Sequence, residues 1–175
     1  ITPVDSALED DHILVDPTPE HFASSKSVAG SVSEANTHGL VDGASALVVG
    51  SERAAKGKKP LGRILSGAYA AVPPERMAYA SVGAVRTALK KAGLEPGDID
   101  LYEINETFCG QTLLDMAELG APKDKVNVNG GAAAIGHPFS ATGCRLALTL
   151  LLELRRRGLR YGVAAISVGG GQGVA

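Results

Sequence analysis

The chain has 175 residues with a net charge of −2, and aromatic residues make up only 4% of the sequence. This length is enough for a domain with a hydrophobic core, and packing by Ala, Gly, Val and Leu favours closely spaced α/β layers. The slightly negative charge and the lack of a basic tract argue against nucleic acid as a partner. No apolar run approaches the roughly 20 residues of a membrane span, so we expect no membrane partner.

Residues 1 to about 35 are rich in Asp, Ser, Pro and His and have little hydrophobic periodicity, which predicts an extended, loop-like arm. The pattern gives no role to the scattered His12, His21 and His38. The first residues, ITPVDSALEDDH, lack the charged and then apolar pattern of a secretory signal. We therefore expect a cytoplasmic location.

Apolar periodicity then predicts an alternation of strands and helices. In chain order these are a strand at 46–49, a helix at 51–57, a strand at 61–71, a helix at 75–92, a strand at 99–104, a helix at 105–119, a strand at 126–128, a helix at 141–157 and a strand at 161–167. This alternation is typical of an α/β protein, doubly wound with a largely parallel sheet. A closing strand is expected where the sequence ends, which indicates part of a larger protein.

The two cysteines, Cys109 and Cys144, have neither a metal-binding spacing nor the number needed for a disulfide framework. Both lie in apolar helical sequence, so we expect reduced, small buried residues and no bound metal.

The stretch over 126–145, VNVNGGAAAIGHPFSATGCR, places one titratable group, His137, between a predicted strand and a predicted helix. Its small residues let the backbone pass close to a ligand or to another segment. Such loops are where α/β folds place ligands and catalytic groups. The spacing alone also fits a glycine-rich turn with a structural histidine, and it leaves the two interpretations open.

Three loops follow predicted strand ends, at Asn105, His137 and Ser167, and in a parallel sheet these ends share one edge. An amide and an imidazole there could bind an oxyanion or accept a proton, and the glycines after Ser167 could bind a second oxyanion. A Ser/His pair could also indicate a hydrolase, but the sequence has no Gly-x-Ser-x-Gly elbow. The glycine run is neither a GxxxxGK[ST] loop nor a clean GxGxxG, so it gives weak support for a nucleotide phosphate.

Five stretches together resemble the C-terminal half of a thiolase and cover most of the chain from about Gly30. They are GSVSEANTHGLVDGASALVVGSE, GRILSGA, DIDLYEINETFCGQ, NVNGGAAAIGHPFSATGCR and SVGGGQG. The resemblance implies the thiolase fold, with a C-terminal βαβαβαββ domain plus the last strands of the N-terminal domain. It assigns 1–35 to the loop-domain tail or an extended arm, 36–72 to the end of the N-terminal domain, and 73–175 to the C-terminal domain with its last strand truncated.

The same resemblance implies an acyl-CoA C-acyltransferase that forms or cleaves a C–C bond through an acyl-enzyme. The acylated cysteine would lie in the N-terminal half, so this chain alone would be inactive. His137 would activate that cysteine and share an oxyanion hole with a water held by Asn105, and Gly169 would offer a backbone N–H to a second hole. Ser66 and Phe108 match positions that touch the pantetheine arm of coenzyme A.

Further expectations follow from this resemblance. The substrates would be coenzyme A thioesters, with no covalently bound cofactor, and the setting would be fatty acid and lipid metabolism. The partners would be acyl-CoA, the N-terminal half of the same protein, and further copies in a homodimer or homotetramer.

The sequence departs from the thiolase pattern at two places. Ser167 stands where the family has a second cysteine, which deprotonates acetyl-CoA, and a serine hydroxyl is a far weaker acid than a thiol. The alternative expectation is therefore a CoA-binding, thiolase-like protein with little condensing activity. Phe139 and Ser140 replace the usual apolar residue and glycine after Gly-His-Pro. A ketoacyl synthase relative would usually carry two histidines, and only His137 is evident.

Overall fold

The structure is a computed structural model that describes residues 18–175. The predicted arm lies partly outside this range. Within it, the segment 18–35 is not simply extended, because it forms a short helix and an antiparallel hairpin, followed by one turn of 3-10 helix.

Six α-helices and six strands are formed by the described residues. In chain order they are α1 (Pro19–Ser24), β1 (Ser27–Ala29), β2 (Val32–Ser33), α2 (Glu52–Ala55), β3 (Tyr69–Ala71), α3 (Ala80–Ala92), β4 (Leu101–Ile104), α4 (Cys109–Leu119), α5 (Ala132–Ile135), α6 (Thr142–Arg157), β5 (Gly162–Val168) and β6 (Gln172–Val174). A 3-10 segment, Pro74–Tyr79, leads directly into α3. The predicted helices at 51–57, 75–92, 105–119 and 141–157 are confirmed in type and approximate position.

The main sheet has the strand order β3-β6-β5-β4. β4 pairs with β5 in parallel, whereas β5 with β6 and β6 with β3 are antiparallel. The α/β class is confirmed, but the prediction of a largely parallel sheet is wrong. The reason is the turn after β5, where Gly170 and Gly171 have φ of +80° and +86° and reverse the chain without a crossover helix. β6 lies within the GQGVA stretch itself, at Gln172–Val174, and not after it.

Three predicted strands are wrong or shorter than expected. The run 46–49 has no regular structure, and Val48 and Val49 are exposed. Of 61–71 only β3 is a strand, and 126–128 makes only an isolated parallel bridge between Val126 and Tyr102. An apolar run becomes a strand only when another strand satisfies its backbone groups, and these segments have little or no such partner here.

The hydrophobic core lies between the main sheet and helices α3 and α4. Val82, Val85 and Leu89 of α3 pack against Tyr102 and Ile104 of β4 in one buried cluster. Helix α6 covers the sheet through a second cluster. The members of that cluster are Leu101, Leu150 and Leu154. The burial of Val82, Val85 and Leu89 agrees with the apolar periodicity that predicts the helix at 75–92.

No helix within residues 18–175 has the length and apolar character needed to cross a membrane.

Candidate functional site

His137 is a buried imidazole, 9% exposed, held at two points. Its Nδ1 lies 2.8 Å from Oγ1 of Thr142, at the start of α6, and its backbone N–H donates to the Gly39 carbonyl at 2.9 Å. The preceding Gly136 has φ of +86°, and a Cβ there would lie 2.3 Å from a Val41 methyl carbon. The glycine therefore permits the close approach that anchors the ring and leaves Nε2 for a ligand or nucleophile.

The electrostatic surroundings keep His137 neutral. Burial lowers the pKa of His137 from 6.5, and the positive charges of His38 and Arg145 lower that pKa further. Arg145 itself forms an ion pair with the buried Glu103 at 3.6 Å. A neutral imidazole at pH 7 can accept a proton, which a charged imidazolium cannot do.

His38 is a site residue that the sequence analysis missed. Its ring centroid lies 4.5 Å from that of His137, and the Phe139 ring lies 5.1 Å from His137. Nδ1 of His38 is buried without a hydrogen-bond partner among the described residues. The available signal was its place in THG, inside a stretch that carries the family resemblance. The argument that only one histidine is evident is therefore wrong.

Asn105 lies directly after β4 and is 1% exposed. Its backbone N–H donates to the Ala165 carbonyl of β5 at 2.9 Å, so it sits beside that strand. Its side-chain Oδ1 is buried and has no partner within residues 18–175. Leaving a buried acceptor unsatisfied costs about 1–3 kcal/mol, so this oxygen is suited to bind a water or a ligand.

Ser167, in β5, is 6% exposed and begins a chain of buried polar groups. Its Oγ lies 3.1 Å from Oγ of Ser81, and Ser81 Oγ lies 2.8 and 2.9 Å from the two carboxylate oxygens of Asp115. Gln111 Nε2 also donates to Asp115. The sequence analysis missed Ser81 and Asp115, because they lie 34 residues apart on two helices. The available signal was a carboxylate, Asp115, on the apolar face of α4 between Thr112 and Leu119.

Asn105 and Ser167 lie on neighbouring strands of the same sheet region. Asn105 is bonded to Ala165, and two residues of strand span about 6.6 Å. His137 belongs to the loop before α6, and Arg145 of that helix reaches β4 through Glu103. The convergence of all three side chains on one substrate stays a prediction.

The remaining predicted site residues have separate surroundings. Gly169 is exposed in the β5–β6 turn, two residues after Ser167. Phe108 pairs with Thr37 through an isolated bridge, which places it beside His38. The Ser66 hydroxyl instead donates to the Ala88 carbonyl at 2.7 Å, in a groove between α3 and α6 that does not include His137.

The two cysteines differ from expectation. Cys109 and Cys144 are free but only partly buried. Cys109 begins α4, and burial raises the pKa of its thiol. A thiol with a raised pKa is mostly protonated at neutral pH and is therefore a poor nucleophile.

The sequence model for the C-terminal domain of thiolase matches residues 58–175, and the chain therefore belongs to the thiolase family. It is 50% identical over 149 residues to an acetyl-CoA acetyltransferase of Cupriavidus necator, covering 84% of this chain and 38% of that protein. It is 45% identical over 148 residues to a cytosolic acetyl-CoA acetyltransferase of Mus musculus, covering 83% of this chain and 37% of that protein.

Solved structures confirm the thiolase fold. The crystal structure of Bacillus anthracis acetyl-CoA acetyltransferase matches with a TM-score of 0.91 and 41% identity, covering 99% of this chain and 46% of that chain. Human mitochondrial 3-ketoacyl-CoA thiolase in complex with CoA matches with a TM-score of 0.85 and 36% identity, covering 94% and 43%. The chain thus spans less than half the length of these relatives. Their names give no support to the alternative of a thiolase-like protein with little condensing activity.

Proposed function

We propose that a complete thiolase containing this chain is an acyl-CoA C-acyltransferase, which forms or cleaves a C–C bond between acyl-CoA and acetyl-CoA. The observation that carries the proposal is the buried His137 of a thiolase-family chain. Its Nδ1 is held by Thr142, its pKa is lowered by burial, and its Nε2 has no hydrogen-bond partner within residues 18–175. A solved relative in complex with CoA supports the substrate class. The acyl group is carried by a cysteine outside these 175 residues.

In the acylation step, Nε2 of His137 accepts the proton of that cysteine thiol, and the thiolate attacks the thioester carbonyl. The oxyanion that forms is held by the imidazolium and by a water bound to the unpartnered Oδ1 of Asn105. Collapse of the intermediate expels CoA as its thiolate, which takes the proton back from His137. The acyl-enzyme and free CoA are the products.

In the second step, a further acetyl-CoA loses a proton from the carbon next to its carbonyl, at Ser167. The backbone N–H of Gly169, in the turn after that strand, holds the resulting enolate oxygen. Ser66 and Phe108 contact the pantetheine arm, and for Ser66 this requires the side chain to leave its bond to Ala88. The enolate carbon then attacks the carbonyl of the acyl-enzyme and its C–S bond breaks. The cysteine leaves as a thiolate, which is reprotonated from solvent as the proton taken from acetyl-CoA is released.

The same proposal includes the setting of the protein. The name of the mouse relative supports a cytoplasmic location, and the substrate class supports a place in fatty acid and lipid metabolism. The complete chains form a homodimer or homotetramer. The division at 1–35, 36–72 and 73–175 is retained, although the family match already begins at residue 58.

The test is acyl-enzyme formation in the complete protein, measured by intact mass after mixing with acetyl-CoA. His137→Ala should slow acylation by at least ~100-fold, the lower range for a positioned acid or base. The matched control is His21→Ala, since His21 is an exposed histidine of α1, and it should acylate at the unaltered rate. Acylation of His137→Ala at the unaltered rate, or no acyl-enzyme in the unaltered protein, would overturn the proposal.

A further inference from the structure

The hydrogen bonds from Ser167 to Asp115 all point in one direction. An ionised carboxylate only accepts hydrogen bonds, so the single hydroxyl proton of Ser81 is directed at Asp115. Ser81 Oγ can then only accept from Ser167, whose own proton is directed at Ser81. The three groups form a continuous path along which a proton can move from Ser167 to Asp115.

The fold brings these residues together through a close approach of backbones. Ser167 is the cross-strand neighbour of Gly173 in β6. A Cβ at Gly173 would lie 2.0 Å from the Ala80 carbonyl oxygen and 2.8 Å from the Ser81 nitrogen. The missing side chain therefore lets the first turn of α3 lie on the strand pair, and this places Ser81 within reach of Ser167.

Asp115 is fully buried at 0% exposure, and its side chain is bonded to neutral groups only, Ser81 and Gln111. The elements packed against α4 bring exposed charges: Arg86 of α3, which pairs with Glu118 of α4, and Glu75 and Arg76 of the 3-10 segment Pro74–Tyr79. Burial raises the pKa of Asp115 to about 7, although the hydrogen bonds from Ser81 and Gln111 act in the opposite direction. A buried carboxylate without a cation is unfavourable in a purely structural position.

We propose that Ser81 and Asp115 form a proton relay that allows Ser167 to remove the carbon-bound proton of acetyl-CoA. The inference rests on the proposed function, and it assigns roles to two residues that act through Ser167 rather than on the substrate. It also removes the difficulty that a serine alone is a poor base, because the proton is finally held by a carboxylate.

The proton balance of the step is simple. Ser167 Oγ takes the proton from the acetyl-CoA carbon while its own hydroxyl proton passes to Ser81 Oγ. The Ser81 proton passes to Asp115, so the carboxylate loses its negative charge as the enolate gains one. The electron pair of the broken C–H bond becomes the C=C bond of the enolate, and the carbonyl π pair moves to its oxygen. In the cleavage direction the same path returns the proton to the enolate carbon.

The relay predicts opposite pH dependences for the two directions. Condensation needs ionised Asp115, so its rate should rise with pH through about 7. Cleavage needs the protonated form, so its rate should fall over the same range. In Asp115→Asn both dependences should disappear.

The decisive test is a double-mutant cycle in the complete protein, combining Asp115→Asn with Ser167→Cys. Acyl-enzyme formation and acetoacetyl-CoA formation are measured separately, and each condensation rate is divided by the acylation rate of the same variant. In the Ser167 background Asp115→Asn should lower condensation by ~100-fold or more. In the Ser167→Cys background the same change should have less than about a tenfold effect, because a thiol titrates near ~8.5 without help.

Two further variants make the outcome unambiguous. Ser81→Ala breaks the path while Asp115 itself is kept, although the carboxylate loses its hydrogen bonds from Ser81. It should repeat the loss of condensation of Asp115→Asn, and it provides the test if Asp115→Asn does not fold. Asp124→Asn, at an exposed aspartate, is the matched control and should condense normally. Equal losses in both backgrounds, or normal condensation in Asp115→Asn, would show that the cluster is only structural. Absence of acyl-enzyme in the unaltered protein would overturn the proposed function, and the relay with it.

Discussion

Asp115 shows how one residue can oppose stability and still fit a function. Its folded pKa of about 7 is above the ordinary value of 3.8 because the side chain is buried. Protonated Asp115 therefore favours the folded state fully below pH 3.8, and this contribution is lost as pH rises through about 7. Above that pH the folded protein bears the whole unfavourable effect of a buried charge.

Asp115→Asn should accordingly make the complete protein more stable at pH 8, by about 1–3 kcal/mol, since the amide keeps the shape without the charge. This gain in the free energy of unfolding should be smaller at pH 5 than at pH 8 and should vanish near pH 4. Thermal unfolding at these pH values measures it, with Asp124→Asn as the control. A variant less stable than the unaltered protein at pH 8 would show that the bonds from Ser81 and Gln111 outweigh the burial of the charge.

At the residue scale, the sequence could predict site residues that follow strand ends but not those that meet through packing. Asn105, His137 and Ser167 are predictable because each stands at or after the end of an apolar run, although Ser167 itself lies in β5. His38 and Asp115 were missed because their positions depend on distant backbone pairings. His38 is positioned by the isolated bridge between its neighbour Thr37 and Phe108. This bridge joins segments 71 positions apart in the chain, so the local periodicity of the sequence cannot predict it.

At the scale of elements, helices were predictable and several strands were not. Helices α3, α4 and α6 are defined by their own apolar faces and by terminal glycines, which are local features. Residues 46–49 and 126–128 have suitable residues for strands, but strand formation requires a partner at a distance. The direction of β6 likewise depended on the glycine turn before it, not on its own residues.

The contact between β6 and α3 gives a prediction at this scale. Gly173→Ala would place a methyl group 2.0 Å from the Ala80 carbonyl oxygen and 2.3 Å from its carbon, which are backbone atoms. Helix α3 must then shift. We expect the free energy of unfolding to fall by about 2 kcal/mol or more, and the hydrogen bond between Ser81 and Ser167 to be lost. Thermal unfolding and the condensation rate measure the two effects.

The control for that variant is Gly97→Ala, since a Cβ at Gly97 would meet no atom within 4 Å. It should change stability by less than about 0.5 kcal/mol and leave condensation unaltered. If Gly173→Ala behaved like Gly97→Ala, the close approach would not be what positions Ser81.

For the whole molecule, the distribution of exposed apolar side chains agrees with the family assignment. Val48, Val49, Ile64 and Leu65 are between 54% and 103% exposed, on the segments at 46–49 and 61–65. These segments belong to two of the runs that the sequence predicted to be strands. The chain covers 38% of the C. necator relative, and we interpret these segments as the contact to the N-terminal half of the complete protein.

The 175-residue chain should therefore not exist as a stable monomer on its own. Burying one Val, Leu or Ile side chain contributes about 1.5–3 kcal/mol, so these four exposed side chains represent about 6–12 kcal/mol. That sum is comparable with the whole stability of an ordinary domain, ~5–15 kcal/mol. In sedimentation we expect the isolated chain to self-associate, and co-expression with the N-terminal half should give one defined species.

The double variant Val48→Lys and Ile64→Lys should reduce self-association but also prevent assembly with the other half. A compact monomer of the unaltered chain that unfolds cooperatively would contradict this expectation, because it would mean that these side chains need no further partner.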